Sequence, residues 1–585
     1  MGIYVADFET TTNPEDCRVW AYAICEVGNQ DNIIIGTNID DFMTWCREQK
    51  ENHKVLFHNL KFDGQFIMQW LFHNGFTHTT DRRDRKTNTF NTVISDKGMY
   101  YQIEVIFYRK GKNVSKVTFQ DSLKLIPLSV DQIAKSFKME ISKLEIDYKS
   151  HDYLPEGSPL TKEEEDYIKN DVKIVATAIE YFHSQGLNKM TIGSCALEEY
   201  KKLISKRNFN RYYPTPEYHD DVKQSYKGGF TYLNPKFKGK EIKNGVVFDV
   251  NSLYPSVMYG CDNEYLPFGT PIFFKGKYKD DLVYPLYTQM ITCQFQIKKG
   301  KIPTIQIKHG FGFKGNEYLT NSGDSPVTLV LNNVDLKLFF EQYEVYNLTY
   351  ESGWKFKASK GNGLFGKYID KWSNNKIQAK LDGNHGLYLI SKLFLNSLYG
   401  KFGSSNKVKS KIPYLGEDDI IHFTTSDEVE KDGVYIAMAS FITSYARLKT
   451  ITAAQKVMDN YNQGKSKIEF VYADTDSLHL YSPDFEIPDY LDIDDTKLGA
   501  WKFESKFNRA KFLRQKCYIE NSSEDVKNPN PEYELKITVA GMPKGCYQYV
   551  NFSNFKIGAS YKGKMQPKMV KGGVVLSDID FTIKE

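Results

Sequence analysis

The sequence lacks the features that would tie the chain to a membrane, a zinc module or a disulfide-stabilised fold. Its 585 residues contain no run of about 18 apolar residues, so no transmembrane span is expected. The eight cysteines are scattered without a CxxC pair, which argues against a zinc module or a disulfide framework and fits a reducing compartment. The opening MGIYVADFET predicts a strand rather than a signal peptide.

The chain also lacks a strong net charge, since 77 Lys and Arg residues against 73 Asp and Glu residues leave +4 at pH 7. Its basic residues are locally concentrated, however. Residues 501–516 hold six basic residues and one acidic residue, and 537–585 hold seven lysines. Basic stretches interleaved with aromatic residues suit a groove for nucleic-acid phosphates. A solvated helix face explains either stretch equally well by itself.

The length and the pattern of apolar residues predict several domains. Residues 1–185 combine predicted strands at Ile3–Phe8 and Lys54–His58 with a helix over Thr161–His183 that opens with a capping box. This mixture predicts an α/β domain.

Downstream of residue 260 the composition changes several times. Residues 261–360 are rich in Tyr, Phe, Pro and Gly, which predicts irregular β-structure. A helical region ends in 387–402, and 403–436 is polar and predicted to be a loop-like insertion. A helix over 437–460 then leads to a strand over 468–473.

Four acidic residues of the N-terminal part are candidate metal ligands. Asp7 and Glu9 end a predicted strand on one face, Asp63 follows in HNLKFDG and Asp171 in YIKNDV. Together they could hold two Mg²⁺ ions about 3.5–4 Å apart, the arrangement used for phosphodiester hydrolysis. Tyr167, one helical turn before Asp171, could orient the attacking water. Any one of these carboxylates alone is explained as an ordinary surface residue.

A second acidic set lies downstream. Asp249 ends the predicted strand 245–250 in VVFDVNSLYPS, while Asp474 and Asp476 occupy the turn of a predicted β-hairpin in FVYADTDSLHL. Asp249 and Asp476 could converge on two metals, one lowering the pKa of a primer 3′-hydroxyl and one holding a triphosphate. A plain acidic turn is the simpler interpretation of the second motif alone.

Between these motifs, LISKLFLNSLYGKFG places Lys392, Asn396 and Tyr399 on one helix face. A lysine among apolar neighbours suits a triphosphate contact, and Tyr399 could pack on an incoming base. Taken alone, Lys392 is better explained as a side chain that extends from the core to solvent.

In order, DFE, NLKFDG, YIKND, DVNSLYP, KLFLNSLYG, YADTDS and KCY resemble the motifs of the family B DNA polymerases. More narrowly, they resemble the protein-primed branch of the small Bacillus phages, the phi-29 type, over essentially the whole chain. The resemblance implies an α/β multidomain fold, with a ribonuclease-H-like 3′–5′ exonuclease domain and a right-hand polymerase. The implied division is 1–185 exonuclease domain, 186–260 palm (first part), 261–360 insertion contacting the priming protein, 361–403 fingers, 404–436 second insertion, 437–536 palm (second part) and 537–585 thumb.

The resemblance also implies roles for individual residues. The exonuclease centre would comprise Asp7, Glu9, Asp63, Asp171, Tyr167 and Lys143. The frayed primer end would be held by Thr10, His58, Asn59, Phe62, Ser122 and Leu123. The polymerase centre would comprise Asp249, Asp474 and Asp476, with the carbonyl of Val250 as a further metal ligand. Nucleotide contacts would come from Tyr254, Lys380, Lys392, Asn396 and Tyr399, and DNA contacts from Tyr226, Gly228, Gly229, Lys516 and Tyr518. Tyr254 would exclude a ribose 2′-hydroxyl.

The implied function is DNA-directed DNA synthesis that replicates viral or linear-element DNA from a protein primer. Proofreading, processivity and strand displacement are expected with it. The implied cofactor is Mg²⁺, two ions per active site, with Mn²⁺ as an alternative. Expected partners are primer–template DNA, dNTPs and a terminal (priming) protein, with a single-stranded DNA-binding protein as a further candidate. The chain is expected to be a monomer without membrane contact in the cytoplasm of an infected bacterial host.

Two departures from the branch pattern and three competing functions are relevant. Position 227 is Lys where the branch often has Arg, and the Gly-rich stretch 381–386 is unfavourable for a helix.

The competing functions are a nuclease or nucleic-acid-binding protein with an inactive polymerase half, a non-catalytic binding module and a reverse transcriptase. Intact Asp249, Asp476 and Lys392 argue against the first. A non-catalytic binding module is disfavoured because two carboxylate clusters without metal would repel phosphates. A reverse transcriptase is disfavoured because the N-terminal exonuclease set has no place in it.

Overall fold

The computed structural model describes residues 2–49, 51–214, 218–307, 317–431 and 435–585. The N-terminal elements are β1 (Ile3–Thr10), β2 (Val19–Glu26), β3 (Asn29–Gly36), α1 (Ile39–Glu48), β4 (His53–Phe57), α2 (Leu60–His73), β5 (Thr77–His78), β6 (Thr89–Ile94), β7 (Tyr100–Lys110), β8 (Asn113–Asp121), α3 (Val130–Phe137) and α4 (Lys162–Ser184). The strands form one sheet in the order β3-β2-β1-β4-β8-β7-β6-β5. The predicted α/β character and both predicted strands are confirmed.

The long helix α4 begins as its sequence predicts. The Thr161 hydroxyl accepts the backbone N–H of Glu164, and the Glu164 carboxylate accepts the backbone N–H of Thr161. Beyond this cap, Ile168, Val172 and Ile179 are buried, and the helix packs on β1 and β2. This packing brings the middle of α4 to the end of β1.

The central elements are α5 (Ile192–Ile204), α6 (Lys206–Tyr212), α7 (His219–Lys223), β9 (Thr231–Leu233), β10 (Glu241–Val250), α8 (Leu253–Tyr259), β11 (Tyr265–Lys275), β12 (Leu286–Ile297), β13 (Val327–Asn332), α9 (Asn333–Gln342) and β14 (Tyr343–Lys360). The β-structure predicted for 261–360 is confirmed for the described residues, where β11, β14, β12 and β13 form an antiparallel sheet with several register shifts. The helix α9 within this segment was not predicted. Pro267 and Pro271 lie in the edge strand β11, where a missing N–H disturbs the sheet least. Residues 308–316 of this segment lie outside the described residues.

The remaining elements are α10 (Gly361–Leu381), α11 (His385–Phe402), β15 (Lys407–Val408), β16 (Lys411–Leu415), β17 (Ile421–Thr425), β18 (Val429–Glu430), α12 (Ile436–Asn462), β19 (Glu469–Asp474), β20 (Ser477–Tyr481), β21 (Trp501–Arg514), β22 (Cys517–Ser523), β23 (Glu534–Val539), β24 (Ser560–Val570) and β25 (Gly573–Thr582). A second large sheet has the order β23-β22-β21-β10-β20-β19-β9. The predicted hairpin is confirmed as β19–β20.

Two further predictions concern the segment between α10 and α12. The Gly-rich break predicted at 381–386 is confirmed, because the chain turns at Gly383, whose φ is +68°, between α10 and α11. The loop-like prediction for 403–436 is wrong for the described residues, since β15 pairs with β18 and β16 with β17. Ile421 and Phe423 explain the order, because both pack into the core of the N-terminal domain. Residues 432–434 lie outside the described residues.

The 27-residue helix α12 lies at the centre of the polymerase-side core. It carries Arg447, whose guanidinium is bonded to the Asp335 carboxylate of α9 and donates to the backbone carbonyls of Lys227 and Gly228 at 2.8 Å each. The side chains of Arg447 and Asp335 are 7% and 12% exposed. Neither α12 nor any other helix in the described ranges is long and apolar enough to cross a membrane.

Removing the Arg447 guanidinium should therefore destabilise this core. We expect Arg447→Met to lower the free energy of unfolding by about 3–5 kcal/mol, because it leaves the mostly buried Asp335 carboxylate without its cation, although the Ser444 hydroxyl still donates to it. The matched control is Arg509→Met, which breaks the exposed pair with Glu241 and should change the free energy of unfolding far less, because solvent screens that pair. Urea unfolding of both variants measures the difference, and equal losses would contradict the assignment.

Candidate active sites

Four carboxylates meet at the end of β1. Asp7 and Glu9 share one face of this strand. Asp63 lies in the first turn of α2, directly after β4, which pairs with β1, and Asp171 lies on α4. Glu9, Asp63 and Asp171 are only 7%, 4% and 3% exposed. One strand and two helices thus bring the predicted exonuclease set together.

These carboxylates repel one another. Burial and the Asp171 charge raise the pKa of Asp7 to about 7. Burial and then Asp7 raise the pKa values of Glu9 and Asp63 well above their ordinary range. The ammonium of Lys143 lies 2.7 Å from Asp171 Oδ2, and one cation does not neutralise four carboxylates. The cluster therefore favours binding of further positive charge.

The donor set fits divalent cations that prefer oxygen ligands. Within the described ranges, Oδ1 of Asp63 and Oδ1 of Asp171 are buried without a hydrogen-bond partner, so two ligand oxygens are free. In the same ranges, no group of three or more His, Cys, Asp or Glu side chains is arranged to hold a metal ion as it stands. Binding of Mg²⁺ would therefore require the carboxylates to turn toward the ion.

Two tyrosines and Lys143 border this cluster. The buried Tyr167 hydroxyl lies 3.2 Å from the Tyr148 hydroxyl, and the Lys143 ammonium lies 5.4 Å from the centre of the Tyr167 ring. Burial and the Glu9 charge raise the pKa of Tyr167, which keeps its hydroxyl protonated. Sequence reasoning missed Tyr148, although the stretch IDYKS, just after Lys143, points to it.

The residues predicted to hold the primer end lie beside the cluster. His58 bonds through Nδ1 to the Ser122 hydroxyl at 2.9 Å. The backbone N–H groups of Asn59 and Leu123 both donate to Asp121 Oδ1, at 3.1 and 3.0 Å. Asp121 thus fixes two predicted contacts, and sequence reasoning missed it although it is an acidic residue at the end of the strand β8. Of the remaining predicted residues, Thr10 ends β1 and Phe62 lies half-buried on α2.

The second predicted set lies at the end of β10. Asp249 is opposite Ser477 in the pairing of β10 with β20, and the turn before β20 carries Asp476. Burial and the Asp476 charge raise the pKa of Asp249 to about 7, and burial also raises the pKa of Asp476. The backbone N–H of Val250 donates to the Asp476 carbonyl at 2.8 Å. Asp249 and Asp476 therefore form a second site with excess negative charge.

Asp474 has a different environment from its two neighbours. Its carboxylate accepts a hydrogen bond from the Tyr472 hydroxyl at 3.2 Å and forms an ion pair with the Lys516 ammonium at 3.0 Å. The Tyr472 hydroxyl also accepts the Lys516 backbone N–H at 2.8 Å, and the Tyr472 ring packs 5.2 Å from Tyr518. Two predicted DNA-contact residues, Lys516 and Tyr518, are thus anchored to the hairpin. A buried ion pair between His479 and Glu520, 2.7 Å apart, lies in the same cluster and was not predicted.

The predicted nucleotide contacts lie on α8, α10 and α11. The Tyr254 ring stacks on Tyr399 with centroids 3.9 Å apart, and Lys392 and Asn396 are exposed. Burial, then Lys392 and Lys380, lower the pKa of Lys376, so three lysines of the facing helices lie close together. Lys376 was missed, although it precedes Lys380 by one helical turn.

The predicted linker contacts lie next to the hairpin turn. A side chain at Gly229 would place its Cβ 2.6 Å from the Thr475 hydroxyl, so the two segments touch. An added Cβ at Gly228 meets nothing within 4 Å, and the Tyr226 ring packs against Gly403. The two backbone carbonyls that Arg447 binds precede Gly229, so this buried arginine, which sequence reasoning missed, holds the linker in place.

Comparison with known proteins identifies the family. Residues 46–158 and 154–487 match the family described as DNA polymerase type B, organellar and viral. The DNA polymerases of Bacillus phages B103 and phi29 are 46% and 45% identical over 595 residues, covering 100% of this chain and 99% of each relative. The chain belongs to the type B DNA polymerases. A solved structure of phi29 DNA polymerase complexed with primer-template DNA and incoming nucleotide substrates matches this polymerase with a TM-score of 0.91 and 44% identity, covering 100% of both chains.

The family explains the two-part architecture. The polymerase is a phi29-type, family B enzyme for DNA-directed DNA synthesis, an α/β multidomain protein with exonuclease and polymerase domains. The predicted resemblance to the phi-29 type of family B DNA polymerases and the predicted fold class are confirmed. The domain boundaries and the roles of individual site residues stay predictions.

The raised pKa of Asp249 makes stability depend on pH. A carboxyl whose pKa is about 7 when folded and 3.8 otherwise binds protons preferentially in the folded state. Its contribution to the free energy of unfolding therefore falls as pH rises through that window and stays lost above it. We expect Asp249→Asn, without metal, to raise the free energy of unfolding at pH 8 by about 1–2 kcal/mol and by less at pH 5.

Urea unfolding in EDTA at both pH values measures this effect. Asp474→Asn is the control, because it removes the ion pair with Lys516 and should not stabilise the protein at pH 8. A gain from Asp249→Asn that is the same at pH 5 and pH 8 would refute the electrostatic explanation.

Proposed function

We propose that this polymerase extends a DNA primer with dNTPs at the Asp249–Asp476 site and removes primer 3′ ends at the Asp7–Asp171 site. The observation that carries the proposal is the presence of two buried, mutually repelling carboxylate clusters at the ends of strands in two separate sheets. The relation to phi29 polymerase, which was solved with primer-template DNA and nucleotides, supports DNA and dNTPs as partners. An inactive polymerase half is disfavoured because Asp249, Asp476 and Lys392 are all retained.

At the polymerase site, Asp249, Asp476 and the Val250 carbonyl would hold Mg²⁺, with Mn²⁺ as an alternative. Bound there, the metal would lower the pKa of the primer 3′-hydroxyl and neutralise the triphosphate. The clustered lysines of α10 and α11 attract the same triphosphate. The stacked rings of Tyr254 and Tyr399 form a rigid surface beneath the sugar, which favours deoxyribose by leaving little room.

At the exonuclease site, Asp7, Glu9, Asp63 and Asp171 would hold Mg²⁺, which supplies a nucleophilic water at neutral pH. The protonated Tyr167 hydroxyl is positioned to orient that water, and the Lys143 ammonium stabilises negative charge developing on the phosphate. The pocket around His58 and Asp121 holds the unpaired primer end.

Initiation from a priming protein is supported by the surface of the sheet over 265–360. Phe273, Leu282 and Val283 are 44%, 101% and 61% exposed. Phe273 lies on the edge strand β11, and Leu282 and Val283 lie in the loop between β11 and β12. Exposed apolar side chains of this kind favour a protein contact. Because the relatives are phage proteins, we place the reaction in the cytoplasm of an infected bacterium. The single-stranded DNA-binding protein and the monomeric state stay predictions.

Processive, strand-displacing synthesis is supported by a junction at Asp419, in the turn between β16 and β17. Its carboxylate lies 2.6 Å from His73 Nε2 and 3.0 Å from Lys571 Nζ. Its backbone carbonyl accepts a hydrogen bond from Gln69 at 2.9 Å. Three segments remote in sequence meet here, namely α2, the β16–β17 hairpin and the β24–β25 hairpin. We infer that this junction completes a ring of protein that retains bound DNA.

Separate knockouts should divide the two activities. We expect Asp63→Ala to reduce primer shortening without dNTPs by about a hundredfold or more and to leave extension intact. Asp249→Ala should abolish extension and leave shortening intact, because each variant removes a metal ligand from one cluster only. A 5′-labelled primer on a longer template, incubated with Mg²⁺ across a dNTP titration, measures both. Asp489→Ala, at an exposed carboxylate, is the control, and loss of both activities in either variant would contradict separate sites.

Breaking the contacts of Asp419 should reduce processivity, the number of nucleotides that are added in one DNA-binding event. Asp419→Ala removes the contact with His73 and the surface ion pair with Lys571. That pair is worth up to about 1 kcal/mol, so DNA dissociation should accelerate by about fivefold. The length of product made in one binding event, measured with excess trap DNA, reports this change. Asp418→Ala, at the neighbouring carboxylate that contacts only His422 among the described side chains, is the matched control. Equal run lengths in the two variants would contradict the ring.

A further inference from the structure

A basic groove lies where α5 and α6 meet the end of α11. Its walls carry five lysines, Lys189, Lys201, Lys202, Lys206 and Lys401. None of these residues belongs to the sites described above. Four of these lysines lie within residues 189–206, and the fold adds Lys401 from the end of α11 to this basic stretch.

Most of this charge has no counter-ion. The one carboxylate in the groove wall, Glu198, pairs with Lys189 at 3.2 Å. In the described part of the chain, no carboxylate lies within ion-pair distance of Lys201, Lys206 or Lys401. Burial and then neighbouring lysines lower the pKa values of Lys201 and Lys401. The groove therefore favours a bound anion.

The groove is close to the polymerase site but faces away from the incoming nucleotide. Lys401 follows Tyr399 by two residues, so their side chains point to opposite sides of α11. Gly400 lies between them, and an added Cβ there meets nothing within 4 Å. A flexible strand can therefore pass from Tyr399 round the end of α11 to the groove. A duplex cannot turn so sharply, because its persistence length is about 150 bp.

We propose that the groove binds phosphates of the single-stranded template on its way to the polymerase site. The inference rests on the proposed copying of a DNA template. The lysines bind the phosphates of the DNA strand without recognising its bases, because an ammonium is a point charge at the end of a flexible side chain. Lys201 and Lys206 bind the template phosphates. Lys401, whose ammonium donates to the Ser194 hydroxyl at 3.2 Å, lies where the strand enters the groove from the end of α11.

The test compares two primer–templates that share a duplex and differ in the 5′ template overhang, either a single nucleotide or ten nucleotides. Affinities are measured in EDTA, which prevents cleavage, across a salt series. For Lys201→Gln/Lys206→Gln we expect an affinity loss of about tenfold on the long overhang and a clearly smaller loss on the short one. The slope of log affinity against log salt should fall by about 1.4 on the long overhang, about 0.7 per lost phosphate contact.

Two further proteins keep the result interpretable. Lys465→Gln/Lys527→Gln changes the net charge equally at exposed positions and should bind both DNAs as the unmodified chain does. Lys206→Gln alone leaves the packing of Lys201 over the Phe209 ring intact and should show about half the slope change.

Three results would overturn the proposal. These are an equal loss on both DNAs, which would assign the groove to the duplex, a loss on the long overhang no larger than the control's, and an unchanged slope of log affinity against log salt. If the unmodified chain binds neither DNA, the proposed template copying itself fails, which is distinguishable from failure of the groove.

Discussion

Both sites of this polymerase depend on one constraint, which is that carboxylates are buried at strand ends with too few cations to neutralise them. In ordinary cores such residues are rare, because an unpaired buried charge is costly. Here the same arrangement occurs twice, at the end of β1 and at the end of β10. The folded chain can lower the cost of this buried negative charge in two ways. Its carboxylates can be protonated, as the raised pKa values of Asp7 and Asp249 indicate, or they can bind cations.

The two sites differ in how the protein compensates the charge. The Asp7–Asp171 cluster contains its own ammonium, Lys143, bonded to Asp171. At the Asp249–Asp476 site, the Lys516 ammonium is paired with Asp474, and Asp249 and Asp476 keep their mutual repulsion. The contacts of Asp474 indicate a positioning role, because it ties the β19–β20 hairpin to the turn between β21 and β22 that carries Lys516.

The sequence predicted those features that depend on local pattern. The cap at Thr161, the strand ending at Asp249 and the turn at Asp474–Asp476 each have a short-range physical cause, and the structure contains all three. Segment 403–436 was mispredicted because its order comes from contacts remote in sequence, such as Ile421 in the N-terminal core. Arg447, Asp121 and the pair His479–Glu520 were missed for the same reason, since their partners lie far away along the chain.

The two sites are joined by a direct contact between helices. The helix α4, which carries Asp171, also presents Tyr181, whose hydroxyl donates to Asn384 Oδ1 at 3.1 Å. The same Asn384 oxygen accepts the backbone N–H of Leu387 at 3.0 Å and so caps α11. Since α11 carries Lys392 and Tyr399, any displacement of its first turn would either break the Tyr181 contact or move α4. The helix that orients one carboxylate cluster is therefore sensitive to the position of the helix that serves the other.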